Sequence, residues 1–177
     1  ANAVRNVTFE LKNGDRIALD GANGCGKTSL VKAILACNKD GEAVSSDYGT
    51  TGILEVPRNL IISYVSQDTS HLKGCLRDFA REKKLDYTLL LALLRQLDFE
   101  RVLFDKDMEL YSEGQKKKVL IASSLLTPAH LYIWDEPLNY IDVYTRMQIE
   151  KLLLAFRPTM LFVEHDVRFK ETIATGV

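Results

Sequence analysis

The sequence predicts an α/β fold with a mostly parallel sheet covered on both faces. Strand-like and helix-like runs alternate over most of the chain. The runs "LYIW" and "MLFV" are continuously apolar, as strands buried on both faces are. A glycine-rich turn joins one short strand directly to a helix, which is how a parallel sheet passes the chain to its covering layer.

Each element follows from local pattern. Val4–Leu11 alternates apolar and polar residues like a half-buried strand, and Lys12–Asp15 is a turn. Arg16–Gly21 is a short strand ending in glycine. Lys27 to about Cys37 is a helix, with Leu30, Ile34 and Leu35 on one face. The polar stretch 38–52 is loop, and 59–68 holds a buried strand with Gln67 at its exit. From Leu72 to Leu110 the character changes to short amphipathic helices, "LRDFAREKKL", "DYTLLLALLRQLDF" and "ERVLFDKDMEL", with no strand between them. A helix from Ser112, a strand over His130–Glu136, a helix over Val143–Phe156, a strand over Thr159–Asp166 and a helix over Val167–Ala174 complete the alternation. The expected organisation is one domain over 1–177, with a core from 1–70 and 127–177 and a small helical subdomain over about 71–126.

Composition narrows the function. An apolar content of 46% supports a full core, while a net charge of −1 excludes a broad basic face for nucleic acid. Cys25, Cys37 and Cys75 form no CxxC pair and no zinc spacing with His71, His130 or His165, which fits reduced thiols in a cytoplasmic protein. No apolar run approaches the ~20 residues of a membrane span, so a soluble domain without direct membrane contact is expected. Both ends break off abruptly, and the chain reads as a piece of something longer.

"GANGCGKT", Gly21–Thr28, fits the phosphate-loop pattern G-x-x-x-x-G-K-[ST] between a strand and a helix. This places a P-loop NTPase core here. Backbone N–H groups over Gly21, Asn23, Gly24, Cys25, Gly26, Lys27, Thr28 and Ser29 would cradle ATP phosphates, aided by the helix dipole. Lys27 would reach the β- and γ-phosphates, and the Thr28 hydroxyl would hold Mg²⁺. The Cys25 thiol is expected to take no part. The strand "LYIW" ends in Asp135, a candidate for the Mg²⁺ shell, and Glu136, a candidate base for the attacking water. Gln67 and His165 also follow strands and so belong on the same sheet edge. Gln67 can face Mg²⁺ or water, and His165 can hold the γ-phosphate. Trp134 and Tyr132 read as core.

On these motifs the sequence resembles the nucleotide-binding domains of ABC proteins. Gly21–Thr28 resembles the Walker A motif, Gln67 the Q-loop, Leu131–Glu136 Walker B with its catalytic glutamate, and His165 the switch histidine. "NYID", Asn139–Asp142, stands at the D-loop, and "YSEGQ" at the signature, usually LSGGQ. The resemblance implies that Ser112, Glu113, Gly114 and Gln115 contact the ATP of a second cassette in a head-to-tail pair. Ser112 is a good N-cap and Gly114 lets backbone approach an anion. Glu113 replaces glycine and brings a negative charge near that phosphate, while Tyr111 replaces leucine as packing. "SEGQKKKVLIA", "WDEPLNYIDV" and "TRMQIEKLL" are similar to the second cassette of ABC-F proteins, tandem-cassette ATPases that act on ribosomes, and "LNYID" to their antibiotic-resistance branch. An ATP-binding subunit of a membrane transporter is the other reading. The family's adenine-stacking aromatic is expected upstream of this chain. Lys116–Lys118 is either a solvated helix face or a contact to ribosomal RNA.

Overall fold

A computed structural model describes residues 8–22, 24–40, 54–57 and 59–176. The strands are β1 (Arg16–Leu19), β2 (Ile62–Val65), β3 (Leu131–Asp135) and β4 (Met160–Val163). The helices are α1 (Lys27–Asp40), α2 (Leu76–Glu82), α3 (Tyr87–Gln96), α4 (Glu113–Leu126), α5 (Val143–Phe156) and α6 (Val167–Ile173). All pairings in the sheet are parallel, in the order β1-β4-β3-β2. The carboxyl ends of the strands therefore share one edge, and whatever follows each strand is gathered there.

Alternate residues feed the two faces. Leu131 and Ile133 of β3 and Leu161 and Val163 of β4 pack with Val31 and Ile34 of α1. Tyr132, Trp134, Met160 and Phe162 point the other way, into a larger core shared with α2 to α6. Trp134 and Tyr132 are core, as expected. The Trp134 indole N–H donates to Ser124 Oγ at 2.9 Å, and the Tyr132 hydroxyl to the Thr127 carbonyl at 2.8 Å. Burying a large apolar side chain contributes about 1.5–3 kcal/mol, so this face carries much of the stability. Through Ser124, which also bonds the Ser63 hydroxyl at 2.7 Å, α4 is fastened to β2 and β3. The helical segment and the sheet thus share one core.

The pattern over Val4–Leu11 does not become a strand among the described residues, 8–11. The outer edge of β1 is already taken: Ala18 N–H donates to the Gly176 carbonyl at 3.0 Å and Thr175 N–H to the Arg16 carbonyl at 2.7 Å. The helix expected over "ERVLFDKDMEL" becomes two single 3₁₀ turns, Arg101–Leu103 and Met108–Leu110. Asp107 breaks the run by accepting from the Glu109 and Gly74 amides, at 2.8 and 3.0 Å. Tyr111 is packing: its ring meets Phe99 edge-on and its hydroxyl donates to the Leu103 carbonyl at 2.6 Å. Burial first, then nearby acidic groups, push its pKa up to about 12. Among the described residues no helix is long and apolar enough to cross a membrane.

Candidate active site

The P-loop runs from β1 into α1. Gly21, Gly24 and Gly26 all have positive φ, and a Cβ on Gly21 would lie 2.7 Å from Cys25 Sγ. The Lys27 ammonium folds back on its own loop, donating to the Gly21 carbonyl at 2.6 Å and the Ala22 carbonyl at 3.1 Å. Asn23 lies outside the described residues.

Asp135, the last residue of β3, is buried, and neither of its carboxylate oxygens has a hydrogen-bond partner among the described residues. Burial raises its pKa, and the Thr28 hydroxyl opposes this. The Glu136 charge adds to the rise, and the Lys117 and Lys27 ammonium groups counter it. A buried, unpartnered carboxylate beside a hydroxyl and a phosphate loop fits a hard divalent cation with oxygen ligands.

Glu136 follows in the left-handed region, φ 48°, with its N–H held by the Val163 carbonyl at 2.9 Å. Its Oε2 accepts from Gln67 Nε2 and from Asn139 Nδ2, both at 2.7 Å. Its Oε1 faces His165 Nε2 at 3.5 Å. The candidate base, glutamine, histidine and one D-loop residue therefore meet around a single carboxylate. Asp142, the other D-loop residue, stands apart as the N-cap of α5. It accepts from the Thr145 amide at 2.8 Å and pairs with Lys118 at 3.1 Å.

Partial burial opposes ionisation of Asp142, but the Thr145 amide and hydroxyl and the Lys118 ammonium hold its pKa down at about 2. A depressed carboxyl contributes stability fully above its unfolded value of about 4, and loses it as pH falls towards the folded value. Asp142→Asn is therefore expected to be less stable than the wild type above about pH 5, with the difference shrinking as pH falls from about 4 to about 2. Denaturation midpoints across that range check this.

At the start of α4, Ser112 and Gln115 form a capping box, Ser112 N–H to Gln115 Oε1 at 2.9 Å and Gln115 N–H to Ser112 Oγ at 3.3 Å. Neither Ser112 nor Gly114 is bonded to Lys27 of the same chain. Glu113 turns to its own Q-loop, where the Thr69 hydroxyl donates to its Oε2 and the Lys116 ammonium lies 3.3 Å from Oε1. The Thr69 hydrogen bond, against partial desolvation and with help from Lys116, lowers its pKa. Gly114 serves a close approach: a Cβ there would lie 2.4 Å from the Tyr140 carbonyl oxygen.

Lys116–Lys118 is not a solvated face. Lys117 and Lys118 are buried, and Lys118 also donates to the Asp98 carbonyl at 3.2 Å. The partners of Lys117 and Lys118, Asp98 at a separation of 20 residues and Ser66 at 51 among them, make this possible, and a charge run alone cannot reveal them. Glu164 was not expected from the sequence. It is 4% exposed and accepts from the His165 amide at 2.7 Å and the Leu138 amide at 3.1 Å. It ties the turn after β4 to the turn after β3. Its signal is an acid directly following the apolar run "MLFV", as Asp135 follows "LYIW".

Residues 4–139 match the family model described as ABC transporter. The chain belongs to the ABC transporter family. Its domain is 30% identical over 181 residues to the ATP-binding protein Uup of Buchnera aphidicola, covering 97% of this chain and 28% of that protein. It is 31% identical to an ATP-binding protein Uup-like of Haemophilus influenzae, covering 97% and 37%. It is 25% identical to ABC transporter F family member 2 of Arabidopsis thaliana, covering 97% and 25%. The chain thus spans only 25% to 37% of the length of these relatives. Among solved structures, the complex of an archaeal ribosomal stalk protein with the ribosome recycling factor aABCE1 aligns at TM-score 0.68 and 28% identity, covering 93% of this chain and 31% of that one. An ATP-binding subunit of an ABC transporter shares the fold at TM-score 0.75 and 22% identity, covering 97% and 76%. The ABC domain therefore has the α/β architecture expected from its sequence.

Proposed function

We propose that this ABC domain binds ATP with Mg²⁺ and hydrolyses it when a second cassette closes head to tail over its P-loop. The single observation that carries this reading is the Glu136 carboxylate, fixed by Gln67 and Asn139 beside an unpartnered, buried Asp135. Mg²⁺, when bound, neutralises phosphate charge and aligns the γ-phosphate for attack. Thr28, Asp135 and Gln67 would hold it. The Gln67 amide nitrogen is committed to Glu136, which leaves its carbonyl oxygen for a cation or water.

Lys27 leaves the Gly21 and Ala22 carbonyls for the β- and γ-phosphates, and amides from Gly21 to Ser29 hold the chain of oxygens. Glu136 polarises a water for in-line attack. A new P–O bond forms to the water oxygen, the bond to ADP breaks, and Glu136 receives the proton. His165 steadies the γ-phosphate. Ser112 and Gly114 of the other cassette complete the donor set. Glu113, turned to Thr69 and Lys116 of its own chain, does not point a free charge at that phosphate.

The parent protein is an ABC-F type ATPase acting on the ribosome, with this domain as its C-terminal cassette and drug protection of ribosomes as its role. The F-family relative and the similarity to a recycling factor solved with a ribosomal stalk protein support the ribosomal part. The "LNYID" stretch supports the resistance branch. The test is co-sedimentation of the full protein carrying Glu136→Gln with ribosomes. Retention with ATP and release with ADP supports the reading. Equal absence from the pellet in both overturns it in favour of a transporter subunit.

A further inference from the structure

We propose that Lys117 is a positioning residue for hydrolysis, holding the Ser66 carbonyl so that Gln67 presents its side chain to Glu136. This rests on the hydrolytic reading of the site above.

Lys117 lies in the second turn of α4, only 1% exposed. Its neighbours in sequence are ion-paired, Lys116 to Glu113 at 3.3 Å and Lys118 to Asp142 at 3.1 Å. Lys117 differs: its one hydrogen bond among the described residues is to the Ser66 carbonyl, at 2.8 Å. Burying an ammonium against a single neutral acceptor is costly, and an apolar residue of the same length would avoid that cost. Burial lowers the Lys117 pKa, and the charges of Asp135, Glu136, Glu164 and Glu113 oppose that shift.

Ser66 lies between the end of β2 and Gln67. The peptide unit is planar, so fixing the Ser66 carbonyl also fixes the Gln67 N–H and Cα. From there Gln67 Nε2 reaches Glu136 Oε2 at 2.7 Å. Lys117 thus links the helix bearing the signature residues to the candidate base through one peptide plane.

The test is steady-state ATP turnover by the full protein carrying Lys117→Met, which keeps the apolar stem and removes the ammonium. The expected result is kcat lower by about 10- to 100-fold with KM for ATP within about twofold, because displaced geometry costs the chemical step and not P-loop binding. The melting temperature is measured alongside, so that lost geometry is told apart from lost fold. In a Gln67→Ala background Lys117→Met is expected to change kcat less than about twofold, since the linkage acts through Gln67. An undiminished kcat in folded Lys117→Met, or an equal loss with and without Gln67, overturns the proposal. Should Lys117→Met not fold, Lys117→Gln is judged by the same criteria. Turnover by the unsubstituted protein tests the underlying hydrolytic reading separately: without it that reading fails, whatever Lys117 does.

Discussion

Glu136→Gln is expected to lower ATP turnover of the full protein by about 10²–10⁴-fold while leaving ATP affinity within about threefold. The substitution preserves shape. The amide oxygen can still accept from Gln67 and Asn139, which now meet Glu136 Oε2 at 2.7 Å, so the loops after β2 and β3 keep their positions. What is lost is the basic oxygen proposed to take the proton from water. The groups proposed to bind ATP lie elsewhere, on the loop between β1 and α1. Binding without hydrolysis should therefore accumulate a closed pair of cassettes. Single-turnover kinetics with filter binding separates the two effects. Turnover within about threefold of the wild type would remove Glu136 from the role of base.

Gly114→Ala is expected to destabilise the protein by about 1–3 kcal/mol and to lower turnover by tenfold or more, as overpacking against backbone does. The added Cβ would lie 2.4 Å from the Tyr140 oxygen and 3.4 Å from its carbonyl carbon. That neighbour cannot yield cheaply, because Tyr140 already sits at φ 66°. It must move together with Asn139, which donates to Glu136. The cost is therefore read twice, in the denaturation midpoint and in kcat. A neutral outcome in both would mean that the D-loop moves freely against the start of α4.

The sheet and its covering helices were legible because their signals are local. The apolar runs before Asp135 and Glu164 are long enough to mark buried strands, and the P-loop pattern fixes the β1–α1 junction. The parallel sheet then dictates which strand ends meet, so Gln67, Glu136 and His165 belong on one edge. Other features depended on partners far away in sequence. Lys117 and Lys118 read as a charge run, but their acceptors are Ser66, Asp98 and Asp142. Glu113 read as a possible repulsion to phosphate, but Thr69 takes it up. Residues 8–11 of the Val4–Leu11 pattern form no strand, and residues 175–176 occupy the edge of β1. Gly114 was expected to admit an anion, while the contact it permits within its own chain is with Tyr140.

The central claim is that each phosphate site is finished by a different cassette. The most direct measurement is a structure of the full protein carrying Glu136→Gln with Mg²⁺ and ATP bound. Ser112 Oγ and the Gly114 amide should lie within hydrogen-bond reach of a γ-phosphate whose β-phosphate is held by another cassette's P-loop. Ser112 and Gly114 turned instead onto the nucleotide held by Lys27 of their own chain, or left away from any phosphate in the closed form, would contradict it.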